Sequence, residues 1–351
     1  MRYKLFTVII LLAASMLVSA GTLFAQNKET KESSGPDFSG YIRFWQQSDF
    51  STDQSQFIAK EITMGATGTV NEYFGYKFLA DFTRLGKLST TSTTIDGTTV
   101  LTKASASFTD VLLDAMIKIT PVADLSISGG QFKIPFSTDN LRGNNSIDFV
   151  NRPFITSVAP ASRDVGAMVS YKASSLLPEI SAGVFNGTGI NKTENDKTIN
   201  YVCRAVVSPI TNLNLAANYY AGRISALDVK AIGLGFDWKY DNLFVDGEYV
   251  TKDTDEPGGT VGSNAFFIYS TYNISVSETG FVKYITPAVR FDSYDPDKDK
   301  NNNEVQRFTF GVTFNSAKIS WAHIRLNYEM YDYKDDTVNP DKLIAELQVR
   351  F

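Results

Sequence analysis

The last nine residues, Leu343 to Phe351, put Leu343, Ala345, Leu347, Val349 and the terminal Phe351 on one side of an extended chain and Glu346, Gln348 and Arg350 on the other. Successive side chains of a strand point to opposite faces. A wholly apolar face backed by a charged one fits a wall between hydrocarbon and water better than the edge of a soluble sandwich. The rest of the chain has to supply the other strands of that wall.

Alternation of the same kind predicts strands near 37–47, 57–67, 73–84, 108–119, 123–133, 164–172, 177–186, 199–207, 211–221, 228–238, 242–252, 264–274, 280–292, 306–315, 319–333 and 342–351. The expected fold class is all-β, a transmembrane antiparallel β-barrel of about 16 strands, an even number that returns both termini to one side of the membrane. Short turns at 120–123, 208–211, 239–242 and 315–318 are expected to alternate with long polar loops, as periplasmic turns alternate with extracellular loops. With 25 Phe and 17 Tyr, the chain is rich in side chains that suit interfacial girdles. Charge on the inner face predicts a hydrated lumen, which a barrel of this width can hold.

Arg2 and Lys4, the apolar run Leu5–Val18 and small residues at Ala20 and Ala25 read as a secretory signal, with cleavage expected after Ala25 and Val18-Ser19-Ala20 as the alternative site. The expected organisation is therefore a signal peptide over 1–25, a short polar lead over 26–36 and the barrel over 37–351. After the signal no run approaches the roughly 18 uninterrupted apolar residues of a membrane helix. Losing Arg2 and Lys4 takes 33 basic residues to 31 against 38 acidic ones, a net charge of −7, which argues against a nucleic-acid binder. The one cysteine, Cys203, forms no internal disulfide and is expected to face lipid with Tyr201 and Ala205.

The longest connection, Ile134 to Arg163, is the third on the extracellular side and is expected to fold inward as a constriction. With Lys133 at its root it carries Lys133, Arg142, Arg152 and Arg163 against Asp139 and Asp148, a cationic surplus in an acidic chain. Guanidinium groups suit carboxylate and phosphate oxygens, and a narrow site magnifies their field. These four are the candidate selectivity residues; the plainer alternative is that they tie the loop to acids on the wall. By alternation Arg43, Lys77, Lys118, Arg204 and Arg325 face the lumen, mixed with acids such as Glu61, Asp81, Asp114 and Glu346. Arg142 and Arg152 are expected to bias ion flow more than Arg350, at the periplasmic end of its strand.

Gly130-Gln131-Phe132-Lys133-Ile134-Pro135-Phe136-Ser137, then Asp148-Phe149-Val150-Asn151-Arg152, then Arg163-Asp164-Val165-Gly166 resemble the family of phosphate-selective porins O and P. That family carries a Gly-x-Phe-Lys-x-Pro-Phe segment, an acidic-Arg pair and an Arg-Asp-Ile-Gly strand start. The dense match runs from about 129 to 172. Arg152 matches the arginine of the pair, whereas Asn151 stands where the family usually has an acid. The resemblance implies a bacterial outer-membrane porin, a passive channel for small hydrophilic solutes such as phosphate or other anions. It also implies a homotrimer in outer-membrane lipid, and the terminal Phe351 strand resembles the signal read by the barrel assembly machinery.

Other constellations are weaker. Asp295-Pro296-Asp297-Lys298-Asp299 with Asn301, Asn303 and Glu304 resembles a calcium loop in composition but lacks the glycine and glutamate of an EF-hand. A single histidine and a single cysteine supply too few ligands for a transition metal, and no cofactor is expected. His323 is the one candidate general base, and Ser320 lies on the opposite face of its strand, so no catalytic residue is assigned. The rival readings are a non-conducting barrel for adhesion or anchoring and a lipid-modifying barrel enzyme.

Overall fold

A computed structural model describes residues 35–85, 89–95, 98–105, 108–172, 177–193, 197–316, 322–334 and 340–351. The expected signal, nearly all of the polar lead, and Ser320 lie outside them. Sixteen antiparallel strands close into one barrel. The first eight are β1 Asp37–Asp49, β2 Gln54–Thr69, β3 Phe74–Asp81, β4 Leu112–Val122, β5 Leu125–Lys133, β6 Arg163–Tyr171, β7 Glu179–Phe185 and β8 Asn200–Ile210. The others are β9 Leu213–Ile224, β10 Leu227–Tyr240, β11 Leu243–Glu256, β12 Gly259–Tyr272, β13 Val282–Asp295, β14 Val305–Ser316, β15 Ala322–Tyr333 and β16 Lys342–Arg350, with Ile274–Ser275 continuing β12.

Closure is needed because an open edge in hydrocarbon would leave its backbone groups without partners. It is made by β1 against β16, from Tyr41 opposite Arg350 to Asp49 opposite Lys342. Gly40 and Phe351 extend the seam by exchanging backbone hydrogen bonds of 2.7 and 2.9 Å. A Cβ on Gly40 would lie 2.7 Å from the Phe351 ring, so the terminal aromatic rests on the one residue that leaves it room.

The distribution of side chains is that of a soluble protein turned inside out. Phe44, Met64, Phe78, Ile232, Phe310 and Leu347 are exposed on the outside, while Arg43, Glu61, Asp114, Glu248, Arg290 and Glu346 are buried within. Cys203 is exposed beside Tyr201 on the outer face, as the alternation predicts.

The expected alternation of turn and loop length is partial: 82–111, 134–162, 186–199, 296–304 and 334–341 are long, whereas 50–53 on the same side is short. Ser225-Ala226 and Pro257-Gly258, also on that side, are two-residue turns, and the charged run Lys252–Glu256, whose last four residues lie beyond the strand expected over 242–252, is the end of β11, paired with β12. Strands that continue past the bilayer are wet on both faces, so their alternation vanishes while their pairing persists. A separate hairpin, Ser89–Ile95 with Thr98–Ser105, stands in the β3–β4 connection. Its Ser/Thr-rich sequence has no apolar face to betray it.

Candidate functional site

The segment between β5 and β6 crosses the inside of the barrel. Its root is Gly130, at φ +118°, where a Cβ would come 2.2 Å from the Ala115 carbonyl oxygen, so only glycine fits. Phe132, Ile134 and Phe136 then turn inward and bury among Phe185, Val202, Tyr220 and Val250 of the wall from β7 to β11. Lys133 donates to the carbonyls of Asn140 and Arg142 and so folds the segment back on its own root. Ser137 opens the single helical turn Thr138–Leu141. The Ser137 hydroxyl donates to Glu248 at 2.8 Å, and the backbone N–H groups of Thr138 and Asp139 donate to it at 3.1 and 3.3 Å. One buried wall carboxylate thus takes three donors from the start of the loop, an arrangement the exposed N–H groups of a helical turn favour.

Farther along, the loop is held by its main chain. Arg325 donates to the carbonyls of Ile147 and Phe149, Arg43 to Val150, Arg290 to Asn151 and Arg307 to Arg152, all between 2.7 and 3.0 Å. In return Val150 N donates to Asn327, and the Asn151 amide donates to both oxygens of Glu329. That pairing accounts for the departure at 151, because an acid there would face the Glu329 carboxylate. The gripping arginines are themselves balanced: Arg43 and Arg325 share Glu346, and Arg290 and Arg307 share Asp292. Buried charge of this kind is tolerated only when paired and hydrogen-bonded. Arg163 closes the crossing with a 2.7 Å bond to Asp114, and Asp164 accepts from Gly187 N at 2.6 Å.

Two cavities flank the crossing. One, of about 240 Å³ at the loop-bearing end, is lined by Arg84, Arg163, Lys192, Ser162 and Thr188 with no acid. The other, about 430 Å³ and toward the termini, has Arg142, Lys239, His323, Arg325 and Arg350 in its wall against Asp148 alone.

The family model for phosphate-selective porin O and P matches residues 38–226, more than half of the sequence. The chain belongs to that family. It is an outer-membrane porin and forms a passive channel. No curated protein matches it significantly. Solved structures share its fold: the outer membrane channel DcaP of Acinetobacter baumannii, at TM-score 0.63 and 12% identity, covers 93% of this chain and 100% of its own. The anion-selective porin of Comamonas acidovorans gives 0.61 at 10% identity, over 92% and 99%. The trimer form of OmpT from Vibrio cholerae gives 0.59 at 11% identity, over 92% and 100%.

In this porin the four loop cations are all engaged. Lys133 holds carbonyls, and Arg152 holds Asp139, Asn144 and the Arg142 carbonyl. Arg163 shares Asp114 with Lys77. Arg142 reaches Asp148, Tyr269 and Asp246. Burial alone would lower the pKa of the Arg142 guanidinium, but Asp148, Tyr269 and Asp246 outweigh burial and raise it above its ordinary value, so it stays charged. Of the expected lumen residues, Arg43 and Arg325 grip the loop, and Arg204 binds Asn218 and Thr138. Lys118 keeps the inward parity of Asp114 and Met116 and is exposed. Arg290 and Arg307 went unread as lumen residues, although Ala288, Arg290 and Asp292 alternate with Val289, Phe291 and Ser293 in the expected way.

The interior is also drier than an all-wet inner face implies. From β8 to β13 the wall presents Val202, Val229, Ala231, Val250, Phe267 and Ala288 inward, and these bury under the loop's Phe149, Ile155 and Val158. In the acidic run after β13, Lys300 and the Asp299 N–H hold the Asp297 carboxyl below the usual range. Among the described residues no group of three or more His, Cys, Asp or Glu is placed to hold a metal ion.

Proposed function

We propose that the channel prefers small anions, and that its bias comes from cations at its two mouths more than from the loop arginines first singled out. One observation carries this reading: both cavities beside the crossing are lined by an excess of cations in a chain of net negative charge. Lys192 at one mouth and Lys118, Lys239 and Arg350 at the other pair with no acid among the described residues, so their field is not cancelled locally. Arg142 and Arg163 contribute from the cavity walls, while Lys133 and Arg152 act as mounts for the sieve.

The test is a planar bilayer recording across a potassium chloride gradient, expected to give an anion-selective reversal potential. Cation selectivity would overturn the reading while leaving the porin intact. Absent conductance from folded barrels would favour the anchoring role instead.

The same proposal takes the protein to be a non-enzymatic channel exported by residues 1–25, assembled through its Phe351 strand and trimeric, as the related OmpT form is. A channel-lining role for His323 is supported by its Nε2, which lies 3.1 Å from the Arg325 guanidinium and accepts from it rather than from a nucleophile.

A further inference from the structure

Resting on that anion preference, we infer that the chamber on the terminal side of the loop is a subsite for hydroxylated organic monoanions of the sugar-acid class, and discriminates them from inorganic phosphate. The chamber, at about 430 Å³, far exceeds what a bare tetrahedral ion fills, and its wall is chemically divided. Its charged end is formed by Arg325 and His323 of β15, Arg350 of β16 and Arg142 of the loop. Its other wall, across β12 to β14, is neutral and polar: Thr271, Asn273, Thr286, Thr313 and Asn315. Phe244 and Ala288 add an apolar surface between them.

Charge counting selects the valence. Arg142, Arg325 and Arg350 supply three positive charges; Asp148 takes up Arg142 and Glu346 takes up Arg325. One unpaired positive charge remains at that end, enough for a carboxylate; Lys239 supplies the other, on β10 beyond Phe244 and the neutral wall, so a compact divalent phosphate in a partly desolvated site meets only one of the two. Hydrogen-bonding capacity selects the body of the solute. Thr286 spends its hydroxyl on Asn273, and Thr313 accepts weakly from Arg325 at 3.4 Å. The Thr271 hydroxyl and the Asn315 amide have no side-chain partner among the described residues, although Thr271 is 6% exposed. A site with polar groups to satisfy rejects a solute that cannot hydrogen-bond to them, more sharply than an apolar site rejects a hydroxyl. A ring bearing hydroxyls and one carboxylate meets the cation, the hydroxyl and amide row, and the apolar patch together.

The experiment compares glucuronate, cyclohexanecarboxylate and inorganic phosphate as blockers of single-channel chloride current in the full-length porin, added from the terminal side. Glucuronate is expected to interrupt the current with dwell times at least about fivefold longer than the other two. Thr271→Val or, at the open edge of the chamber, Asn315→Leu should bring glucuronate and cyclohexanecarboxylate within about twofold of each other; Arg350→Gln should shorten both. Equal dwell times in the unmodified channel, stronger block by phosphate, or a ratio that survives both Thr271→Val and Asn315→Leu would overturn the inference. The reversal potential from the same channels separates the two claims: anion selectivity without discrimination sinks this one alone, whereas cation selectivity sinks the anion preference beneath it.

Discussion

The middle of the barrel and its mouths carry the same kinds of charged residue to different ends. At mid-height one buried carboxylate, Glu346, receives Arg43, the Trp45 indole N–H and Arg325 within 2.8 Å, and every charge is spent on holding the crossing segment. At the mouths Lys118, Lys192, Lys239 and Arg350 stand without acidic partners among the described residues. The difference teaches that the number of cations along an inner wall says little about what an ion feels. A neutralised pair has a short-range field, whereas an unpaired group facing a low-dielectric wall projects its charge into the passage.

The largest effect that could break this comparison comes from removing the crossing itself. Deleting 138–158 is expected to raise single-channel conductance several-fold, and unchanged conductance would show that the segment does not restrict the passage. Next, Glu346→Ala should leave two buried guanidinium groups facing each other at a cost of roughly 3–5 kcal/mol, the usual penalty for breaking a buried pair. A lower unfolding temperature, together with noisier current as the loop loses its mount, is the expected readout; a silent substitution would mean the middle is not held as described. A sharper contrast follows from pairing Lys239→Ala with Arg350→Ala, which should move the reversal potential toward zero more than Arg152→Ala does. Equal shifts would return selectivity to the loop. The smallest effect is expected at the Asp297–Lys300 surface pair, whose lysine is exposed and whose acid is half-buried, where Asp297→Asn should change neither conductance nor its insensitivity to millimolar calcium. A calcium response abolished by that substitution would restore the metal reading.

Sixteen strands were legible because lipid on one side and polar groups on the other force period-two alternation at every crossing of the bilayer. The signal fails where that asymmetry ends. Asp253–Glu256 reads as a loop and is a strand, and the hairpin 89–105 is invisible, since neither has an apolar face. At the site, the motif beginning at Gly130 and the strap from Asp148 to Arg152 could be read as a unit, and Asn151 stood out as a departure. Which cations are spent could not be read, because pairing Arg43 with Glu346 joins residues three hundred positions apart through the closing seam. Arg290 and Arg307 were within reach of parity alone. Their targets were not, since they bind carbonyl oxygens that every residue possesses.

Those carbonyl targets bear on how such a channel can change. Arg43, Arg290, Arg307 and Arg325 grasp consecutive peptide groups rather than particular side chains. Phe149 and Val150 are buried and Asn151 holds Glu329, so within 147–152 it is Asp148, in the chamber wall, whose substitution alters what the passage presents while these anchor points persist. The barrel and its filter are in this respect separable parts, and descendants of this sequence could acquire new solutes by editing the filter's side chains without redesigning the frame that carries it.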